Sequence, residues 1–128
     1  MRSVDTNVVV RWLLRDDPGQ AAVADGIMDE PIEITPTVLL ELAWVLMSIG
    51  RMSRDQFADA MSAILAVRTA FVQDRARVRW AIDRFRAGAD WDDVMHISAT
   101  QEAATFTTFD QSLGKQAGAS TPVAVEIL

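Results

Sequence analysis

The sequence contains no cysteine and no tyrosine, and His96 is its only histidine. The lack of cysteine excludes disulfides, cysteine-bound zinc and thiol nucleophiles, and one histidine excludes a site that needs two imidazoles from the same chain. No apolar run is long enough to span a bilayer, and the first seven residues lack the apolar segment of a signal peptide. We therefore expect a soluble cytoplasmic protein with no membrane partner.

Basic residues are also scarce, because 18 acidic residues oppose 12 basic ones and give a net charge of −6. A protein that binds nucleic acid through broad neutralisation of phosphates is usually basic. If the partner is a nucleic acid, a group other than surface lysine and arginine must attract the phosphates. All basic residues but Lys115 are arginine, which indicates either specific pairing with phosphate or carboxylate or a bias in the coding sequence.

The length of 128 residues predicts a single domain, residues 1–128, and half of the residues are apolar, which is enough for one core. Short apolar runs alternate with helical patterns along the chain. The predicted strands are Met1–Val4, Ile32–Ile34, Ala70–Gln73, Ala104–Phe109 and Val123–Leu128. This alternation predicts an α/β fold with a central, mostly parallel sheet and helices on both faces.

Local signals mark most of the predicted helix starts. Asp17 precedes Pro18 as an N-cap residue, and Ser53 with Gln56 has the spacing of a capping box. We expect helices from Asp17 to about Met28, from Pro36 to Gly50, from Ser53 to about Val67, from Asp74 to Arg86 and from Asp90 to about Ala103. The pattern of Asn7–Arg15 fits a helix or an extended strand equally well.

Four acids stand out from the other acidic residues, which lie on polar stretches. Asp5 and Asp110 follow the first and fourth predicted strands, where α/β folds bind ligands, whereas Glu41 and Asp93 interrupt apolar helices. Each acid also has a purely structural interpretation. These are an Asx turn for Asp5, the rim of an amphipathic helix for Glu41, a capping box with Asp90 for Asp93 and a turn cap for Asp110.

The four acids form a chemically consistent set if they meet. Carboxylates without cysteine or a histidine pair suit a hard cation with oxygen ligands, namely Mg²⁺ or Mn²⁺. Two like charges 4 Å apart repel by about 4 kcal/mol at an effective dielectric near 20, so clustered acids either raise one another's pKa or recruit cations. A bound cation would also explain how an acidic protein attracts a phosphodiester.

Four motifs together resemble the PIN-domain ribonucleases, in particular the VapC-like toxins of prokaryotic toxin–antitoxin systems. They are VDTNVVVRWLLRDDP, VLLELAWVL, GADWDDVMHISA and TFTTFDQSL, in family order and at family spacing. The resemblance implies a three-layer α/β/α sandwich and Mg²⁺- or Mn²⁺-dependent cleavage of RNA. It further implies a homodimer and a cognate antitoxin that blocks the site.

The resemblance also assigns site residues. The family's metal-binding and catalytic acids fall on Asp5, Glu41, Asp93 and Asp110, and supporting positions fall on Thr6, Asp90 and Thr108. Trp91 replaces the common phenylalanine and His96 an aliphatic residue, which leaves the acids untouched. The mechanistic hypothesis is that one or two metal ions activate a water, which attacks the scissile phosphate in line.

Three further side-chain types carry weaker expectations. Arg11 follows Asp5 by about one and a half helical turns, so it is either a phosphate contact, a support for the acids or a surface residue. His96 has apolar neighbours, so we expect a core or rim histidine rather than a general base. The four tryptophans are expected in the core or in dimer contacts: Trp12, Trp44, Trp80 and Trp91.

Two other functions fit part of the sequence. An aspartate-based phosphatase would have a second acid two residues after Asp5, but Asn7 stands there, and Lys115 is its only candidate lysine. A catalytically silent binding module of the same fold would not need the four acids.

Overall fold

Seven α-helices, one π-helical turn and five short strands alternate along the chain, and the computed structural model describes residues 1–128. The helices are α1 Thr6–Leu14, α2 Pro18–Met28, α3 Pro36–Trp44, α4 Arg54–Ala66, α5 Arg75–Arg86, α6 Trp91–Ser98 and α7 Leu113–Ala117. The strands are β1 Arg2–Ser3, β2 Ile32–Ile34, β3 Ala70–Val72, β4 Thr105–Thr108 and β5 Ala124–Ile127. None of the helices is both long enough and apolar enough to cross a membrane.

Contacts divide the chain into two compact units, Met1–Gln73 and Asp74–Leu128, called here the first and second units. The first unit contains a three-stranded sheet in the order β1-β2-β3, and the second contains a sheet of β4 and β5. Every strand pair is parallel, as the alternation of strands and helices predicts. The hydrogen bonds therefore form two sheets, one in each unit.

Local capping signals place the helices of the first unit. Asp17 accepts a hydrogen bond from the Gln20 amide at 3.0 Å, and Ser53 and Gln56 form the complete capping box that their spacing predicts. The ambiguous segment after Asp5 is helical and ends at Arg15, whose φ of 55° is left-handed. These signals depend on neighbours in sequence, so they can be read without tertiary information.

The long apolar helix predicted from Pro36 to Gly50 changes its hydrogen bonding before its end. It is α-helical to Trp44 and continues as a π-helical turn at Val45–Ile49, where the Gly50 amide donates to the Val45 carbonyl at 2.9 Å. A Cβ on Gly50 would lie 2.7 Å from the Leu46 carbonyl oxygen. The glycine therefore allows the close backbone approach that closes this wider turn.

Two details predicted for α6 are wrong. The helix ends at Ser98 instead of continuing to about Ala103, and the N-cap residue Asp90 makes no side-chain capping bond, so there is no capping box with Asp93. Thr100 turns the chain: its hydroxyl donates to the His96 carbonyl at 3.2 Å, and its own carbonyl accepts from the Arg77 guanidinium. The Thr100 hydroxyl and a side chain of α5 therefore hold the chain just beyond the end of the helix.

The short helix α7 is held by an arginine of α5. Arg84 donates through Nε to the Gln116 carbonyl at 2.7 Å and through Nη2 to the Lys115 carbonyl at 3.1 Å. Gly118 follows with φ +73° and ψ −176°, a region that only glycine adopts readily, and a Cβ there would lie 2.8 Å from Arg84 Cζ. Arg84 thus satisfies carbonyls that the end of a helix leaves without partners.

Gly118→Ala should destabilise the protein by about 2–3 kcal/mol, because it adds both backbone strain and a clash with Arg84. Gly88→Ala is the matched control, since Gly88 has φ +109° but open space around its Cβ position. Its cost should be about 1–2 kcal/mol from the backbone alone. Urea unfolding measures both variants, and equal costs would show that Arg84 does not constrain residue 118.

Candidate active site

Asp5 lies at the carboxyl end of β1 and caps the first helix. Its Oδ1 accepts a hydrogen bond from the Thr6 amide at 2.7 Å, and Asp5 is exposed whereas Thr6 is buried. Asp5 is therefore the N-cap residue of α1, and the bond to an amide two residues on that would define an Asx turn is not observed. The Thr6 backbone supports the carboxylate. This role leaves Asp5 at the edge of the sheet where ligands bind in α/β folds.

Glu41 lies in the second turn of α3 and is exposed, although its neighbours in sequence are apolar. The exposed residues of this helix and the π-helical turn are Thr37, Glu41, Trp44, Ser48 and Ile49, with Leu39, Leu42 and Leu46 buried on the other side. Glu41 is therefore a rim residue, and no burial cost attaches to its charge. Because β1 and β2 are parallel and α3 directly follows β2, Asp5 and the start of α3 lie at the same edge of this sheet.

Arg11 is already paired within the first unit. Its Nη1 lies 2.9 Å from both carboxylate oxygens of Asp16, and the two partners are substantially exposed. Arg11 also lines a mostly apolar groove of about 420 Å³ between α1 and α2, together with Val23 and Ile27. To contact a phosphate group, Arg11 would have to release the Asp16 carboxylate. This contact stays a prediction.

Three acids of the second unit interact electrostatically. Burial raises the pKa of the Asp93 carboxyl, and the negative charges of Asp90 and Asp110 raise this pKa further. A hydrogen bond from Gln116 and the charge of His96 act in the opposite direction. Asp93 is thus a half-buried carboxyl that repels its neighbours, which is common for groups in functional sites.

Asp110 is held by hydrogen bonds to its own loop. Its Oδ1 accepts from the Ser112 hydroxyl at 2.7 Å and from the Ser112 amide at 2.9 Å, and these bonds lower the pKa of Asp110. The Thr108 hydroxyl accepts from the Asp110 amide at 2.9 Å. Asp110 therefore caps its turn, and Thr108 holds the backbone that carries it.

Gln116 and Ser112 were not among the site residues that the sequence suggested. The Gln116 amide group binds the Asp90 backbone and the Asp93 carboxylate, and it also binds Ser112. Ser112 lies inside the TFTTFDQSL motif, but no local pattern marks Gln116 because its acidic partners lie on α6. Only the folded chain identifies this contact.

The single histidine and the tryptophans have different surroundings from one another. His96 is exposed, so it is a rim histidine, and a role as general base is untested. Trp80 and Trp91 are buried, and Trp91 packs edge-to-face against Phe85 with ring centroids 5.8 Å apart. Trp44 is 69% exposed, so it does not belong to the core.

The donor chemistry of the second unit fits a hard divalent cation. Asp93 and Asp110 offer carboxylate oxygens only, and the negative charge of Asp110 raises the pKa of Asp93. Neither unit by itself contains three or more acidic or histidine side chains grouped to hold a metal ion. Mg²⁺ often takes one or two carboxylates and keeps several waters, so two such ligands match its requirements.

Comparison with known proteins gives one match. A family model described as PIN domain matches residues 3–119, which include Asp5, Glu41, Asp93 and Asp110. No curated protein and no solved structure matches the chain significantly. The family match and the parallel strands confirm the expected α/β sandwich class.

Asp93→Asn should stabilise the metal-free protein at pH 7, raising its Tm by a few degrees, because it removes a half-buried and repelled charge. The pKa of Asp93 is raised in the folded protein, so the folded state binds more protons than the unfolded state between the two pKa values. Stability therefore falls as the pH rises through the folded pKa. The gain from Asp93→Asn should vanish below about pH 4.

Asp110→Asn is the matched control and should act in the opposite direction. The pKa of Asp110 is lowered by Ser112, so its charge stabilises the fold above the unfolded pKa, and this contribution is lost as the pH falls through the folded pKa. Thermal unfolding in EDTA across pH 3–8 compares the variants. A lower Tm for Asp93→Asn at pH 7 would contradict the repulsion among these acids.

Proposed function

The chain belongs to the PIN domain family, a family of nuclease fold, and on that premise we propose that this protein is a metal-dependent endoribonuclease. One observation carries the proposal: Asp93 and Asp110, both within the family match, are close enough for their charges to interact. An enzyme that cuts a phosphodiester with the help of a metal ion holds this ion through such oxygen ligands. We propose the same catalytic role for Asp5 and Glu41.

Asp93 and Asp110 of the second unit would hold Mg²⁺ or Mn²⁺, and the resemblance assigns the same ligand role, directly or through water, to Asp5 and Glu41 of the first unit. A bound ion of this kind supplies Lewis acidity toward the phosphate and makes a water a better nucleophile near neutral pH. Thr108 holds the backbone of Asp110, and the Thr6 amide fixes the Asp5 carboxylate. Asp90 adds negative charge beside Asp93 and so strengthens the attraction for a cation.

This arrangement fits the acidic composition of the protein. With a net charge of −6, the surface as a whole repels RNA, so affinity for phosphate must be local. Carboxylates that collect a divalent cation turn a repulsive site into an attractive one. RNA binding at this site would therefore depend on the cation.

We further propose that the protein is the toxin of a type II toxin–antitoxin pair, with a homodimer as its assembled form. The likeness of the four motifs to VapC-like toxins supports the toxin role. Trp44 and Ile49 are 69% and 70% exposed in the first unit, and large apolar side chains at a surface favour a protein partner. A second copy of the chain and an antitoxin are the proposed partners.

The phosphatase alternative lacks support from the positions that it requires. Asn7 is exposed and carries no acid, and Lys115 is exposed on α7 instead of lying deep in the fold. A silent binding module of the PIN fold would share the structure, so only the reaction separates it from an enzyme. The experiment below distinguishes all three functions.

Purified wild-type protein should cleave RNA with Mg²⁺ or Mn²⁺ and lose this activity in EDTA. Asp5→Asn should lower the rate by more than about 100-fold, because a metal ligand is lost while asparagine still caps the helix. Asp29→Asn, which changes an exposed acid in the same unit, should leave the rate within about twofold.

Three results would contradict the nuclease proposal. They are an Asp5→Asn variant with full activity, RNA cleavage that persists in EDTA, and a wild-type protein that cleaves no RNA. Metal-dependent hydrolysis of p-nitrophenyl phosphate without RNA cleavage would favour the phosphatase. A protein that neither binds Mn²⁺ in calorimetry nor cleaves RNA would favour the binding module.

The toxin role has a separate test in living cells. Induced expression of the wild-type chain in a bacterial host should stop growth, whereas Asp5→Asn at the same protein level should not, because the proposed toxicity depends on RNA cleavage. Growth curves and immunoblots measure both. Normal growth with active, soluble wild-type enzyme would contradict the toxin role and leave the nuclease proposal intact.

A further inference from the structure

Gln116 connects the two acids of the second unit that we propose as metal ligands. It lies on α7, and its side chain reaches the start of α6, where its Oε1 accepts from the Asp90 amide at 2.8 Å. It also hydrogen-bonds the Asp93 carboxylate. On its own helix, its Nε2 donates to the Ser112 hydroxyl at 2.9 Å.

The direction of each bond follows from the chemistry of the groups. An ionised carboxylate only accepts, so Gln116 must donate to Asp93 through Nε2, which has a second hydrogen for Ser112. The Ser112 hydroxyl accepts this bond and uses its own hydrogen for Asp110 Oδ1 at 2.7 Å. The result is one continuous chain of bonds: Asp93, Gln116, Ser112, Asp110.

The backbone that carries Gln116 is fixed independently of the acids. Arg84 of α5 donates to the Gln116 backbone carbonyl at 2.7 Å, and the Gln116 backbone N–H donates to the Ser112 carbonyl at 3.1 Å. Gly118 permits the guanidinium to lie against the end of α7. The side chain therefore extends toward α6 from a rigid support, as a group that positions ligands must.

The neutrality of this chain of bonds is its important property. The protein has eleven arginines, yet the groups that hold Asp93 and Asp110 are an amide, a hydroxyl and a backbone N–H. A lysine or arginine in their place would neutralise the carboxylates and compete with a cation. An amide and a hydroxyl restrain the same oxygens and leave the negative charge available.

We propose that Gln116 is a positioning residue of the nuclease site, which holds Asp93 and, through Ser112, Asp110 in the arrangement that binds the cation. This inference rests on the nuclease function proposed above and adds to it two residues that the family motifs did not assign. Gln116 does not contact the RNA or the reacting atoms. It acts through the two acids.

The experiment compares Gln116→Ala, Gln116→Lys and Ser112→Ala with wild type. Gln111→Ala is the matched control, because Gln111 lies beside Asp110 but bonds only the Phe109 and Leu128 carbonyls, at 3.5 and 3.3 Å. Calorimetry measures Mn²⁺ binding to metal-free protein, thermal unfolding in EDTA measures stability, and RNA cleavage at fixed Mg²⁺ gives kcat and KM.

Gln116→Ala should weaken Mn²⁺ binding and lower kcat by about 10-fold to 100-fold, with KM for RNA within about twofold of wild type. Excess Mg²⁺ should restore part of the lost rate. Ser112→Ala should cause a smaller loss, because Gln116 still holds Asp93 and the Ser112 amide still holds Asp110. Gln111→Ala should match wild type in all three measurements.

Gln116→Lys separates positioning from simple structural support. Lysine can donate to the Asp93 carboxylate and to the Ser112 hydroxyl, and its positive charge offsets the loss of the bond that Gln116 accepts from the Asp90 amide. The Tm in EDTA should therefore stay within a few degrees of wild type, whereas Mn²⁺ binding should be lost. If residue 116 only supported the fold, the Mn²⁺ affinity of its variants would rise and fall with their Tm. If Gln116→Ala lowers only the Tm, or if Gln116→Lys binds Mn²⁺ like wild type, the inference is wrong.

Failure of the inference differs from failure of the proposed function. A wild-type protein that cleaves RNA with Mg²⁺, together with variants at residue 116 of unchanged kcat and Mn²⁺ affinity, overturns only the role of Gln116. A wild-type protein that neither binds Mn²⁺ nor cleaves RNA overturns the nuclease function and this inference with it.

Discussion

The second unit holds a carboxyl group, that of Asp93, half-buried and close to other acids. Burial raises the pKa of Asp93, and the negative charges of Asp90 and Asp110 raise it further. Such crowding costs stability unless a cation or hydrogen-bond donors compensate it. The chain supplies donors from Gln116 and Ser112 but no arginine at this place. It therefore retains a concentration of negative charge that a salt bridge would have removed, which supports a function that depends on a divalent cation.

Structure that depends on adjacent residues was predictable from the sequence. Asp17 and Ser53 cap helices as their spacing indicates, because capping bonds join groups three residues apart. Strand positions were also close to those observed, since short β-branched runs between turn signals favour strands. The α/β class followed from the order of these elements and from four motifs along the whole chain, whereas the roles of the four acids stay predictions.

Features that depend on contacts between distant elements were missed. Helix α6 ends earlier than expected, and just beyond it Arg77 of α5 binds the Thr100 carbonyl, a contact that no residue within α6 signals. The π-helical turn before Gly50 needs a close backbone approach that apolar periodicity does not reveal. The sequence left open whether Glu41 lies on an apolar face or on the rim, and the fold decides for the rim, because Thr37 and Trp44 are exposed on the same side of the helix. Gln116 had no local signal at all.

The contact of Arg84 with Gly118 constrains the order in which this sequence can diverge. Any side chain at residue 118 meets the guanidinium, so the arginine must either move away from the carbonyls that it binds or be replaced. Its loss leaves the Lys115 and Gln116 carbonyls without their donor while the left-handed backbone at residue 118 still disfavours other residues. An evolutionary path that alters either position therefore passes through a less stable intermediate, and related chains should keep or lose the two residues together.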